Sequence, residues 1–321
     1  MSKKILIIHT GGTISMSEDE TGVVKPTGHN PITQHTKELT DLGELIIEEP
    51  FQLPSPHITI KEMLLLKAMI EQYSERGIDG VVITHGTDTL EETAYFLDLT
   101  TESTFPIIVT GAMRSSNEIG SDGLYNVISS IRVASCDDAK NKGVLVVLND
   151  EIHTASNVTK THTSNVSTFQ SPQYGPIGIV TKRGIIFHHS PLELEYYQID
   201  DISKRVALLK AHAGMDSSLF YAIKELKYDG IVIEALGQGN LPPATIDGIM
   251  SLLQENIPIV LVSRCFNGIV EDTYSYEGGG SNLKQLGVIF SNGLNGQKAR
   301  IKLLIALAVT DDIKKIEYMF Q

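Results

Sequence analysis

The chain has 321 residues, enough at roughly 150 per domain for two domains or one large one. With 41% hydrophobic and 20% charged residues it is balanced as a globular protein, and its longest apolar run, Leu303–Val309, cannot span a bilayer. Its 26 basic and 39 acidic residues give a net charge of −13, and Lys and Arg are scattered rather than striped, which argues against a nucleic-acid partner.

The predicted elements alternate. Met1-Ser2-Lys3-Lys4 resembles the start of a signal peptide, but the apolar stretch Ile5–Ile8 runs too soon into Gly11-Gly12. The segment therefore reads as the first strand, Ile5–His9, of a cytoplasmic protein. Further β-branched runs, apolar without alternation, fall at Gly80–Thr84, Phe105–Thr110, Gly143–Leu148, Gly230–Glu234 and Ile257–Ser263, as expected for strands buried on both faces. Between them, helical spacing predicts Lys61–Arg76, Leu90–Leu99, Gly123–Ser135, Ser217–Leu226, Ala244–Asn256 and Gln297–Val309. Strands alternating with helices predict an α/β protein with a mainly parallel sheet. Gly178–Phe187 reads as a β-hairpin around Lys182-Arg183-Gly184, and the acidic, weakly periodic stretch after it as a linker. The division is then residues 1–188, a linker at 189–205, and a smaller domain at 206–321. Cys136 and Cys265 are far apart without CxxC spacing, which suits a reducing compartment and no disulfide framework.

In open parallel sheets ligands bind beyond the carboxyl ends of the strands. Small, hydroxylic and glycine residues collect there. Thr10-Gly11-Gly12-Thr13 follows the first strand, and its glycines permit a tight turn that could present a nucleophile and backbone N–H groups; an ordinary strand-to-helix turn would look the same. Neither a P-loop nor a GxGxxG pattern is present there. His85-Gly86-Thr87-Asp88-Thr89 follows the second strand. Asp88 could accept from a ligand ammonium and Thr87 could hold water, while Thr89 with Glu92 reads as a helix capping box. Thr159-Lys160-Thr161 offers a lysine able to act as base for a threonine hydroxyl, or else a solvated surface lysine. His188-His189 near Glu193 and Glu195 makes a poor metal site, because adjacent strand residues point to opposite faces.

Together these segments resemble the bacterial-type L-asparaginase family of asparaginase/glutaminase amidohydrolases. The similar runs are His9-Thr10-Gly11-Gly12-Thr13-Ile14, Ile83–Thr89, Val109–Arg114 and Asn157–Thr161, with further likeness at Phe169, Tyr174-Gly175-Pro176, Gly237–Asn240 and Gln297–Arg300. The resemblance covers nearly the whole chain. It implies a flavodoxin-like N-terminal amidohydrolase domain and a smaller C-terminal α/β domain, a homotetramer of intimate dimers, sites completed by the neighbouring subunit, and no metal or other cofactor. It implies L-asparagine, with L-glutamine open as a second substrate, hydrolysed to the acid and ammonia. By the same resemblance Thr13 matches the nucleophile, and Thr87, Asp88 and Lys160 match a second threonine-centred triad. Ser55 matches the serine on the substrate α-carboxylate, Asp88 the carboxylate on the α-ammonium, and Ala112 a backbone carbonyl near the leaving amide. Asn240 and Glu277 match the pair reaching in from the partner, though Gly278-Gly279-Gly280 aligns with an insertion. Many members carry a tyrosine in the mobile loop after the first motif; here that loop, Ser15–Gly28, has none, and Ser17, Thr21 and Lys25 are its polar candidates for assisting Thr13. A glutamine- or tRNA-directed amidohydrolase and a non-catalytic amino-acid sensor stay open as rival readings.

Overall fold

The computed structural model describes residues 2–26, 42–191 and 194–321. The chain folds as two units, Met1–Tyr196 and Tyr197–Gln321.

Among the described residues, the first unit is built on an eight-stranded sheet. Its parallel part comprises β1 (Lys4–His9), β4 (Glu44–Glu48), β5 (Gly80–Thr84), β6 (Ile107–Thr110) and β7 (Val144–Leu148), in the order β4-β1-β5-β6-β7. Every residue of β5, β6 and β7 is buried, which is why these strands read as unbroken apolar runs. Helices α1 (Ile60–Ser74), α2 (Leu90–Thr100) and α3 (Gly123–Ala134) cover the faces. Helix α1 begins at a capping box of Thr59 with Glu62 and buries Met63, Leu66, Ile70 and Tyr73. One core joins Ile5, Ile7, Val82, Ile108, Leu145 and Val147 of the sheet to Val127 and Ile131 of α3, each side chain worth about 1.5–3 kcal/mol on burial.

Beyond β7 the sheet turns antiparallel. β8 (Glu151–Thr154), β11 (Gly178–Val180) and β12 (Ile185–Phe187) complete that flank, the last two forming the predicted hairpin. Asn149-Asp150 makes the β7–β8 turn, both residues at positive φ (49° and 66°), the backbone of a tight hairpin. Two small antiparallel pairs stand outside the sheet: β2 (Met16–Glu18) with β3 (Val24–Pro26), and β9 (Thr159–Lys160) with β10 (Phe169–Gln170).

The second unit holds a wholly parallel four-stranded sheet in simple order: β13 (Val206–Lys210), β14 (Gly230–Ala235), β15 (Ile259–Ser263) and β16 (Ile289–Phe290). Its helices are α4 (Ser218–Glu225), α5 (Ile246–Leu253), α6 (Gly280–Leu286), α7 (Gly296–Val309) and α8 (Ile313–Met319). The apolar face of α4, through Phe220 and Ile223, packs into a core with Ile249 and Leu252 of α5 and Ile231, Ile233 and Leu261 of the sheet.

No helix among the described residues is long and apolar enough to cross a membrane. Cys136 and Cys265 are both free thiols.

Candidate active site

Strand register sets the floor of the site. His9 pairs with Thr84, and Thr84 with Thr110, so β1, β5 and β6 end level with one another. His9 Nδ1 lies 2.8 Å from Thr84 Oγ1, while Thr10 N and Thr10 Oγ1 both donate to Thr84 O at 3.1 and 2.9 Å. Past this edge the three loops begin.

Two glycines bring the first two loops into backbone contact. Gly11 and Gly12 have φ of 104° and 81°, a region that favours glycine. A Cβ on Gly11 would lie 2.5 Å from the backbone N and O of Leu53, and one on Gly12 would lie 2.3 Å from Gly86 Cα. Gly86 in turn leaves no room on the Ser55 side, where a Cβ would come within 2.8 Å of Ser55 Cβ. Thr13, half-buried at the start of a 3-10 turn, and Thr87, buried, therefore each follow directly on a residue of one glycine–glycine contact.

Buried Ser55 accepts from Asp88 N at 3.1 Å through Oγ, and its carbonyl accepts from Thr89 Oγ1 at 2.8 Å. The latter bond overturns the expected Thr89–Glu92 capping box. The Thr89 side chain makes no cap bond to α2, because its hydroxyl is committed to the Ser55 loop. Lys160, on the short β9, donates from Nζ to Thr87 Oγ1 at 3.0 Å and to Asp88 Oδ1 at 2.7 Å. The lysine is 16% exposed and Asp88 62% exposed. A proton can pass between Thr87 and Nζ, and the Asp88 carboxylate stays open to a cationic ligand group.

The third loop is held from beneath. The Asp122 carboxylate accepts from the backbone N–H groups of Met113 and Arg114 at 3.0–3.2 Å. Asn126 Nδ2 donates to Gly111 O at 3.0 Å and to Asp122 Oδ2 at 3.1 Å. The backbone on both sides of buried Ala112 is thereby fixed.

Asn240 and Glu277 lie in the second unit, on two loops that meet. Asn240 Oδ1 accepts from Gly280 N at 3.3 Å, and Gly278 O accepts from Leu241 N at 2.8 Å. The triple glycine after Glu277 is required by this fit. A Cβ on Gly278 would lie 2.2 Å from Leu241 O, one on Gly279 2.4 Å from Tyr274 O, and one on Gly280 2.2 Å from Glu271 O.

The loop lacking tyrosine forms the β2–β3 hairpin; its last two residues, Thr27 and Gly28, lie outside the described residues. Asp19 locks its turn, accepting from Thr21 N, Thr21 Oγ1, Val23 N and Lys25 Nζ at 2.6–3.1 Å. Lys25, together with these donors, holds the Asp19 carboxyl well below the usual carboxylate range. Ser17 Oγ lies 3.1 Å from Ser116 Oγ, and Asn117 bonds both Glu18 N and Glu18 O at 2.7 Å. Thr21 and Lys25 are thus engaged in the hairpin's own turn, and Ser17 in a bond to Ser116 on the loop after β6. His188 and His189 meet edge to face at 5.5 Å and are exposed, while Glu193 lies outside the described residues. No group of three or more His, Cys, Asp or Glu among the described residues could hold a metal ion.

His85 supports the Thr87 loop from inside. Its Nδ1 lies 2.7 Å from Gly86 O and its Nε2 2.9 Å from Thr93 Oγ1. The carbonyl needs a donor, so the neutral imidazole donates from Nδ1 and accepts at Nε2. Burial pushes its pKa down to about 4, and that of His9 likewise. Sequence reading misses Glu91, Asp122 and Asn126, whose side chains work on backbone groups distant in sequence. The one available signal, a polar residue at a helix start, suggests capping.

Comparison with known proteins agrees with this architecture. The family model "Asparaginase, N-terminal" matches residues 4–193 and "Glutaminase/Asparaginase C-terminal domain" matches residues 205–320. A probable L-asparaginase of Deinococcus radiodurans is 38% identical, with 98% of this chain and 96% of that protein covered. An L-asparaginase of Bacillus licheniformis is 35% identical, with 96% of each covered. The crystal structure of a probable cytoplasmic L-asparaginase from Campylobacter jejuni superposes with a TM-score of 0.88 at 33% identity, covering 99% of both chains. A mixed α/β hydrolase with a mainly parallel sheet in its first unit and a parallel sheet in its second, the chain belongs to the asparaginase family.

The glycine contact and the buried histidines each have a measurable consequence. Gly12→Ala combines an unfavourable φ with a collision against Gly86, so it should lower stability by at least about 2 kcal/mol and remove activity, read by thermal unfolding and turnover. Acid should destabilise the fold through the buried histidines. In the unfolded chain each protonates near 6.5, in the fold only near 4, so the unfolded state holds more protons in between. Stability is then complete above about 6.5 and falls as pH drops towards 4, by about 3 kcal/mol per histidine at about 1.4 kcal/mol per pH unit. Unfolding midpoints measured across this window should fall less steeply for His85→Gln; an unchanged slope would contradict the assignment.

Proposed function

We propose that the protein hydrolyses the side-chain amide of L-asparagine to L-aspartate and ammonia, with Thr13 as nucleophile. The observation that carries this reading is the Lys160 bridge to Thr87 and Asp88, beside the glycine turn that presents Thr13. Ser55 and Asp88 hold the substrate's α-carboxylate and α-ammonium. Thr13 Oγ1 attacks the amide carbon, and backbone N–H groups of the turn and of the Thr87 segment receive the developing oxyanion, each donor worth about 3 kcal/mol. The proton lost by the Thr13 hydroxyl passes to the amide nitrogen, the C–N bond breaks, ammonia leaves past the Ala112 carbonyl, and an aspartyl ester remains on Thr13. Water positioned by Thr87, with Lys160 taking its proton, attacks that ester and frees aspartate and the Thr13 hydroxyl. Attack by water without the ester is the alternative route through the same residues.

In this reading residues 1–188 carry the threonine site, 189–205 connect, and 206–321 complete a neighbouring subunit's site. Asn240 and Glu277 share one loop junction, which suits a pair delivered together to a partner's substrate within a homotetramer of intimate dimers. We place the protein in the cytoplasm, as the Campylobacter jejuni protein is described. L-Glutamine is one methylene longer, a difference worth only about 1–3 kcal/mol in a pocket, so it stays open as a second substrate.

Ammonia release from L-asparagine and L-glutamine by the purified protein tests the reaction. Thr13→Ala should lose roughly a thousandfold or more in kcat, and Lys160→Met about a hundredfold or more, both with unchanged melting temperature. Retention of most of the kcat by Thr13→Ala would overturn the nucleophile assignment.

A further inference from the structure

Glu91 is the second residue of α2, and its carboxylate is buried, 4% exposed. Glutamate is seldom buried so completely without strong partners. Its Oε1 accepts from Thr159 Oγ1 at 3.0 Å and from the backbone N–H of Lys160 at 3.1 Å. Both donors belong to β9, a two-residue strand paired with β10 through Lys160–Phe169 and Thr159–Gln170, and the hairpin continues beyond it with Thr161 N and Oγ1 both donating to Thr168 O at 2.8 Å. These bonds tie β9 to β10, whereas those to Glu91 tie it to the start of α2.

The placement of Glu91 in the chain gives this contact meaning. It lies four residues after Thr87 and three after Asp88, in the first turn of the helix that follows them. One short segment therefore carries the two acceptors bridged by Lys160 Nζ and also the acceptor that holds the Lys160 backbone. Lysine has a long stem with many rotamers, so where Nζ sits depends on where its Cα is fixed. An acidic side chain in the first turn is also favoured by the helix dipole.

We infer that Glu91 is a positioning residue for Lys160: its carboxylate ties β9 to the N-terminal end of α2 and sets the distance over which Nζ reaches Thr87 and Asp88. The inference rests on the reading of Lys160 as the group that serves Thr87. Two substitutions separate reach from charge. Glu91→Gln keeps the side-chain length and an acceptor oxygen able to take both bonds. Glu91→Asp keeps the charge but falls one methylene short, pulling β9 inward or losing the bonds.

The test is a set of four variants assayed by ammonia release and by melting temperature: Glu91→Gln, Glu91→Asp, Lys160→Met, and Glu91→Asp combined with Lys160→Met. Kcat is expressed per folded protein. Glu91→Asp should lower kcat by about 10–100-fold with KM within about threefold, whereas Glu91→Gln should stay within about threefold of the parent. In the Lys160→Met background, Glu91→Asp should cost nothing further, since its effect passes through that side chain. Full kcat in Glu91→Asp, a larger loss in Glu91→Gln than in Glu91→Asp, or an equal added loss on top of Lys160→Met would each overturn the inference. If Lys160→Met alone keeps its kcat, the Lys160 reading fails, and this inference with it. Loss in Lys160→Met without loss in Glu91→Asp sinks only the role given to Glu91.

Discussion

The site depends on one close approach of backbone to backbone. Gly12 lies against Gly86 and Gly11 against Leu53, and in each case a single Cβ would collide at 2.3–2.5 Å. Loops from two neighbouring strands and the segment before α1 are thereby pressed together with no side chain between them. The hydroxyl-bearing residues next to each glycine, Thr13 and Thr87, inherit their positions from that contact. Positive φ at Gly11 and Gly12 turns the chain sharply at the strand end, so β1 can be deeply buried and Thr13 still stand half-buried just beyond it.

Around this contact lies a ring of polar supports, each fixing backbone rather than touching a ligand. His85 takes the Gly86 carbonyl, Thr89 the Ser55 carbonyl, Asp122 the amides of Met113 and Arg114, and Glu91 the amide of Lys160. The histidine support costs stability only in acid, since burial holds His85 neutral down to about pH 4. Together the supports give the loops rigidity. The second unit repeats the strategy without charged groups, packing Gly278-Gly279-Gly280 against the Leu241 and Glu271 carbonyls so that Asn240 and the Glu277 loop share a junction.

The parallel strands are readable in the sequence because burial on both faces leaves unbroken apolar runs, as Gly80–Thr84 and Val144–Leu148 show. Helices α1, α2, α3 and α7 are readable from their spacing. The antiparallel strand β8 is not, because Glu151-Ile152-His153-Thr154 looks polar. Edge strand β4 escapes notice between loops because it is only partly buried. At the site, Thr87, Asp88 and Lys160 are legible through their motifs, and the structure brings the three into one hydrogen-bonded group. Glu91 and Asp122 are invisible because their partners lie 68 and 8–9 residues away and only folding reveals the pairing. Thr89 shows the converse error: a local capping pattern lost to a tertiary bond.

The central claim is that Thr13 carries the acyl group and Thr87 with Lys160 removes it. Peptide mapping by mass spectrometry after rapid acid quench of Thr87→Ala with L-asparagine tests it most directly, since removing the water-activating hydroxyl should let the ester accumulate. The account predicts one aspartyl group on the peptide containing Thr13, formed as one equivalent of ammonia is released. An adduct on another residue, or turnover with Thr13 unmodified throughout, would contradict it.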